Sequence, residues 1–359
     1  MPSADASRTA DRLADARARG DAPALADVRL VSLPGNVPPW TATGVRVTRG
    51  QWVTLLASGR LVLAEVLDLW VPPSLALWAR VGGRGPLVNG TGDTTSFQAA
   101  HDGELEVALY NGEWGTQDGA LATPVELYAT SGGTLDVAVV TWRGAAADGL
   151  AALRVDDPLV AAERARIATP DATPVGWRHL WFLGPTECFR SCDHEGRPAV
   201  AIDTANSVGI LQKVIDFPLG PATTLAWRWR VDELPAVGPE DTPVAHDYTS
   251  LALELENGQD LTWYWSAALP VGTHYPCPLP TWTARETHWV LRSGGAGLGA
   301  WHAECRTVVD DYRAAVAGAV PARVVGAWLI AVSVFGHRRG RATFADVVLR
   351  DGDRTLRVI

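Results

Sequence analysis

In TLAWRWRVDELP, Leu225, Trp227, Trp229 and Val231 alternate with Ala226, Arg228, Arg230 and Asp232. A period of two belongs to a strand with one buried face; a helix would repeat its apolar positions every three and four residues. Similar short runs recur along most of the chain, broken by Gly, Pro and Asp. They include GELEVALYNGEW, GTLDVAVVTW, DYTSLALELENG, QDLTWYWS, THWVLRSGG, WHAECR, VGAWLIAVSVF and TFADVVLRDG. Helical spacing is confined to roughly the first 25 residues, DPLVAAERARIAT and TVVDDYRAAVAG. Many short strands separated by turn signals argue for sandwiches or jelly rolls. A chain of 359 residues, 47% of them hydrophobic, is long enough for two cores. The expected fold is all-β: an N-terminal helix or tail over 1–30, a first jelly-roll-like sandwich over 31–145, a short helical connector over 146–175 and a second sandwich over 176–359.

Composition excludes several functions. The net charge is −9 and no basic run is present, which disfavours nucleic acid, where Lys and Arg must neutralise phosphates. Lys213, in GILQKVIDF, is the sole lysine, so Schiff-base chemistry has one weak candidate. The N-terminus lacks the apolar core of an export signal, and no run reaches the roughly 18 apolar residues of a membrane-spanning helix. The expected location is therefore cytoplasmic, with Cys188, Cys192, Cys277 and Cys305 reduced. CFRSCDH offers Cys188, Cys192 and His194, but without the paired CxxC knuckle of structural zinc sites. We find no GxSxG elbow, phosphate-binding loop, dinucleotide fingerprint or HExxH helix. No cofactor and no metal are expected.

Strand alternation assigns candidate residues to faces. Trp263 and Trp265 of LTWYWS fall on the apolar side and leave Tyr264 on the other. The same reading places Trp301, Ala303 and Cys305 inward, with His302 and Glu304 outward. The expected polar face then carries Arg228, Arg230, Glu254, Tyr264, His288, His302 and Glu304, with His274, Tyr275 and Cys277 in the following Pro-rich loop. Arg and Glu can hydrogen-bond a polar ligand, His exchanges protons near neutral pH, and Tyr offers a ring with a hydroxyl. His246 and Asp247 open another strand as acid/base candidates.

Two family resemblances follow from longer motifs. WTATGVRVTRGQWVTLLASGRL (Trp40 to Leu61), LWARVGG (Leu77 to Gly83), GELEVALYNGEWGT (Gly103 to Thr116) and GGTLDVAVVTW (Gly132 to Trp142) resemble the calcium-dependent, galactose-binding bacterial lectins of the LecA type. The resemblance implies a sandwich whose loop after Tyr110-Asn111 binds calcium. At the matching positions this chain has Gly112, Thr116, Gly119 and Ala120, so most of the oxygen ligands are missing and a calcium-bridged galactose site is not expected. Glu113, Thr116 and Asp118 are the oxygens left for weak calcium binding.

LAWRWRVDELP, HDYTSLALEL, LTWYWS, LRSGG, GAWHAECRTVVDDYRAAVAG and TFADVVL resemble a bacterial β-sandwich family of unknown function. That family carries paired aspartates where this chain has His246-Asp247, and an acidic turn where it has SVFGHRRG (Ser333 to Gly340). The expected function is binding of a small molecule or carbohydrate on the polar face of the second sandwich or between the domains, with self-association left open. The alternative is a cofactor-independent cyclase, isomerase or hydrolase. There His246 or His302 would be the acid/base, Glu304 or Glu254 its partner, and Arg228 or Arg230 the oxyanion stabiliser.

Overall fold

The computed structural model describes residues 5–111, 113–170 and 172–359. It is all-β and divides into two compact units, residues 1–171 with 181–186, and 172–180 with 187–359. Among the described residues no helix is long and apolar enough to cross a membrane.

In the first unit Leu25–Pro34, Gly132–Trp142, Trp52–Ala64 and Leu69–Val71 form one sheet, with Thr94–Gln98 also paired to Trp52–Ala64. Trp40–Val47, Gly103–Leu109, Leu77–Val81 and Arg84–Asn89 form the other. GVRVTRGQWVTLLASGRL does contain two strands about a glycine turn. They lie in different sheets, and Gly50, at φ 83°, turns the chain between them.

The helices Ala6–Ala18, Ala146–Ala152 and Pro158–Ala168 all pack on this unit. Leu13, Leu150, Leu159 and Val160 share a core with Leu56, Val140 and Trp142. The segment read from sequence as a connector thus contributes apolar surface to the first core. Asp157 fastens the arrangement: its Oδ1 accepts from the amides of Leu159 and Val160 and from Thr9 Oγ1 at 2.9 Å. Its other oxygen faces Arg12 at 3.1 Å. Asp157→Ala removes a helix cap and the tie to the N-terminal helix. We expect a loss of about 2 kcal/mol of stability in the first unit, read by chemical denaturation.

The second unit sandwiches a seven-stranded sheet on a six-stranded one. The large sheet runs Arg178–His179, Val208–Pro218, Arg323–Val332, Tyr248–Leu255, Asp260–Ser266, Glu286–Ser293, His274–Pro276. The other runs Phe189–His194, Arg197–Ala205, Arg339–Asp351, Thr224–Glu233, Trp301–Thr307, with Arg354–Arg357 paired to Arg339–Asp351. Between them lies an aromatic core in which Trp227 meets Trp263 at 6.1 Å and Trp229 meets Trp265 at 5.9 Å, centroid to centroid. The helix Val308–Ala315 closes one end. Its Asp311, in the first turn, accepts from Trp263 Nε1 at 2.8 Å and pairs with Arg306.

Asp260–Ser266 and Glu286–Ser293 run parallel. A parallel pair requires a long crossover. Here the crossover brings His274–Pro276 back onto the sheet edge and carries Tyr275 and Cys277 close to His288 and His246.

Candidate functional site

The register corrects the expected polar face. Residues directly opposite in an antiparallel ladder point to the same side. Trp227 lies opposite Glu304 and Trp229 opposite His302. His302 and Glu304 therefore project with the core tryptophans, and Trp301, Ala303 and Cys305 project outward with Arg228 and Arg230. Glu304 accepts from Trp229 Nε1 at 3.0 Å and from Arg292 Nε at 2.6 Å; His302 Nε2 bonds Gly297 O at 2.9 Å. Amphipathic Trp301 misled the pattern: Arg228 lies over its ring at 5.5 Å, and His194 stacks on it at 3.7 Å. The seven residues expected on one face thus occupy three places: the outer surfaces of two opposed sheets and the margin of the core.

On the outer surface of the six-stranded sheet lies a groove of about 280 Å³. Ala226, Ala303 and Val348 leave room for it, and Arg197, Arg228, Arg350 and Arg357 supply four guanidinium groups. Asp346 sits among them at φ 53°, where the ladder with Thr224–Glu233 shifts register. A non-glycine residue in this region is uncommon, and a bulge re-aims its side chain. The Asp346 carboxylate lies 3.2 Å from Arg197, 3.3 Å from Arg357 and 3.9 Å from Arg228. Arg228 also meets Glu195 at 3.1 Å, which holds the Glu195 carboxyl below its ordinary range. Arg350 makes no ion pair among the described residues. Arg230, expected beside Arg228, lies outside the groove and pairs with Asp232.

On the outer side of the seven-stranded sheet the structure gathers other predicted residues, but beneath a cover. Tyr264 is 0% exposed, so it is not the open ring expected for a ligand. Its hydroxyl shares a 2.8 Å hydrogen bond with Tyr275 and approaches Glu240 at 3.4 Å. Glu240 comes from the loop between Glu233 and Tyr248 that also carries His246 and Asp247, in a polar, Pro-rich stretch whose pattern gives no sign that its glutamate is buried. Its carboxylate accepts from Ser266 Oγ at 2.5 Å and the Ala267 amide at 2.6 Å, and burial raises its pKa. Glu254 lies on the same sheet but accepts from Trp328 Nε1 and Gln212 Nε2. His274 is exposed and stacks on Trp289.

The interior of this cluster holds His246, Tyr248, Cys277, Glu286 and His288, all buried. His246 Nδ1 bonds Glu240 O at 2.6 Å, and its Nε2 is 3.5 Å from Cys277 Sγ. Cys277 thus pairs with His246 across 31 residues of sequence. Burial pushes its thiol pKa up, which opposes a role as nucleophile. Burial, then the neighbouring His288, lowers His246 to about 3. Burial would raise Glu286, but His288 and Thr262 outweigh it and hold the carboxyl at about 2.

Asp247 does not orient His246. It accepts from the Phe335 and Gly336 amides at 3.0 and 2.6 Å. The two stretches that depart from the resembled family, His246-Asp247 and Ser333 to Gly340, therefore meet in space. Among the described residues no hydrogen bond joins His246 or His302 to Glu254 or Glu304.

The remaining sequence candidates have structural partners. Lys213 Nζ donates to Val358 O at 2.6 Å. Cys188 is buried, Cys192 exposed and His194 stacked on Trp301, and these three do not converge as ligands. In the first unit Thr116 donates to Asp118 and accepts from the Ala120 amide. Gly112 lies outside the described residues.

The chain is an all-β protein. Residues 175–348 match a family described as a protein of unknown function, DUF3047. No curated protein matches. Among solved structures, the chain is similar to the EclA N-terminal domain, a PllA-like lectin: 18% identity, TM-score 0.26, covering 33% of this chain and 98% of that one. It is also similar to the xyloglucanase domain of NopAA, a type three effector from Sinorhizobium fredii, in complex with cellobiose: 9% identity, TM-score 0.30, covering 45% and 85%. An exo-beta-agarase is similar at 14% identity and TM-score 0.23, covering 52% and 24%. At these scores the likenesses carry no statement about what this chain binds.

Proposed function

We propose that the second sandwich binds a small anionic ligand, of which a carboxylated or sulfated saccharide is the expected class, in the groove of Arg197, Arg228, Arg350 and Arg357. The carrying observation is a groove lined by four arginines, three of them gathered on the single carboxylate of Asp346, in a chain whose overall charge is −9. Guanidinium forks match carboxylate and sulfate oxygens in pairs, and Arg350 needs no ion pair broken before it engages. Asp346 and Glu195, two carboxylates, are shared among the other three.

The competing reading is a solvated face whose cross-strand ion pairs contribute little. Titration calorimetry at low salt with galacturonate oligomers and sulfated galactose oligomers separates the two. We expect saturable binding to one of these, weakened as salt screens the groove, and reduced at least tenfold in Arg228→Ala and Arg357→Ala. Neutral galactose oligomers are expected to bind no better in wild type than in the variants. No saturable binding of either anionic probe by the folded protein leaves the solvated face as the correct reading.

A further inference from the structure

We propose that His246, Cys277 and His288 form a binding site for a divalent, thiol-tolerant cation, with Zn²⁺ the expected occupant and the Glu286 carboxylate its charge partner. One donor atom from each of the three lies within 4.8 Å of the others, and all three side chains are buried. This site is separate from the arginine groove and does not rest on the function proposed for it.

The imidazoles are presented as ligands are presented. His246 donates its Nδ1 hydrogen to Glu240 O, which leaves the Nε2 lone pair facing Cys277 Sγ. A hydrogen bond of this kind on the remote nitrogen fixes tautomer and ring orientation at metal sites. His288 is 0% exposed, yet neither of its nitrogens has a hydrogen-bond partner among the described residues. Its Nε2 lies 3.5 Å from Glu286 Oε1, within ion-pair reach but outside hydrogen-bond geometry. Buried polar groups are ordinarily satisfied, and one left open costs about 1–3 kcal/mol. A bound cation would employ the vacant nitrogen.

The donor set selects the cation. Two imidazoles and a thiol suit zinc or copper and offer little to calcium or magnesium, which require oxygen. Zinc bonds of roughly 2.0–2.3 Å place tetrahedral donors about 3.3–3.6 Å apart. The Cys277–His246 pair, at 3.5 Å, already has that spacing. Charge balance agrees: one thiolate and one carboxylate offset a divalent cation, which a dry interior requires. The ligands also come from three separate places, the loop leading into Tyr248–Leu255, the residue after His274–Pro276 and the first half of Glu286–Ser293. A cation would therefore cross-link the cover, the crossover and the sheet.

The test uses the full chain, unfolded with chelator and refolded with Zn²⁺ or Co²⁺, then dialysed. We expect one metal ion per chain by atomic emission, a thiolate-to-cobalt absorption band and a melting temperature that rises with metal. Cys277→Ser is expected to abolish the band, and His246→Gln to weaken binding at least tenfold. Cys192→Ser, an exposed thiol outside the cluster, should retain both stoichiometry and band. Wild type that refolds yet retains no metal and shows no thiolate band overturns the proposal, whatever the variants do. A band that survives in Cys277→Ser overturns it as well.

Discussion

Trp229→Ala is expected to lower the stability of the second sandwich by about 3–5 kcal/mol, while Trp301→Ala costs less than about 1 kcal/mol. The two residues belong to neighbouring strands whose sequences read alike. Trp229 is 0% exposed and packs on Trp227, Trp265 and Phe344, with centroids 5.8–6.1 Å away. Truncating it opens a void between the sheets and withdraws the indole donor from Glu304. Trp301 stands on the outer surface between Arg228 and His194, and its loss uncovers little apolar area. Urea denaturation of both variants reads the difference directly. A loss in Trp301→Ala equal to that in Trp229→Ala would restore the inward orientation expected from sequence and undo the groove.

This contrast marks where the sequence was legible. Period-two patterning found the strands, and it oriented them correctly where both sheets cover the inner face, as at Trp227, Trp229, Trp263 and Trp265. It failed at Trp301–Thr307, an edge strand whose inner side is only partly covered. There Glu304 and Arg306 can point inward, because Trp229 and Asp311 receive them. Orientation is fixed by the partner strand, and a single strand carries no record of its partner. Arg228 was legible as a ligand candidate. Arg197, Arg350 and Arg357 were not, because the hairpin that carries Arg350 and Arg357 is far in sequence from the strands of Arg197 and Arg228. Asp346 gave only the weak signal of a charge interrupting TFADVVL. The metal cluster was hidden for the same reason. Its residues come from three elements, and no spacing rule links His246 to Cys277 or to His288. Tyr264 was assigned to the correct side of its strand, but alternation says nothing about a loop lying over that side.

That loop supplies the second large effect: Glu240→Ala is expected to cost roughly 3–5 kcal/mol, since it strands several buried donors at once. The Glu240 carboxylate, on a residue 1% exposed, receives Ser266 Oγ, the Ala267 amide and the Tyr264 hydroxyl, and no water can replace it without opening the cover. Glu240→Gln keeps one acceptor oxygen and is expected to lose about half as much. Asp241→Ala, at the exposed neighbouring position, should stay within about 0.5 kcal/mol of wild type. Thermal unfolding ranks the three variants. Amide hydrogen exchange over 234–247 localises the effect, with protection lost in Glu240→Ala and kept in Asp241→Ala. The loop also holds His246 through Glu240 O, so its release would free the ring that faces Cys277. If Glu240→Ala melts and exchanges like wild type, the cover does not bind the sheet, and Tyr264 returns as a ring open to ligand.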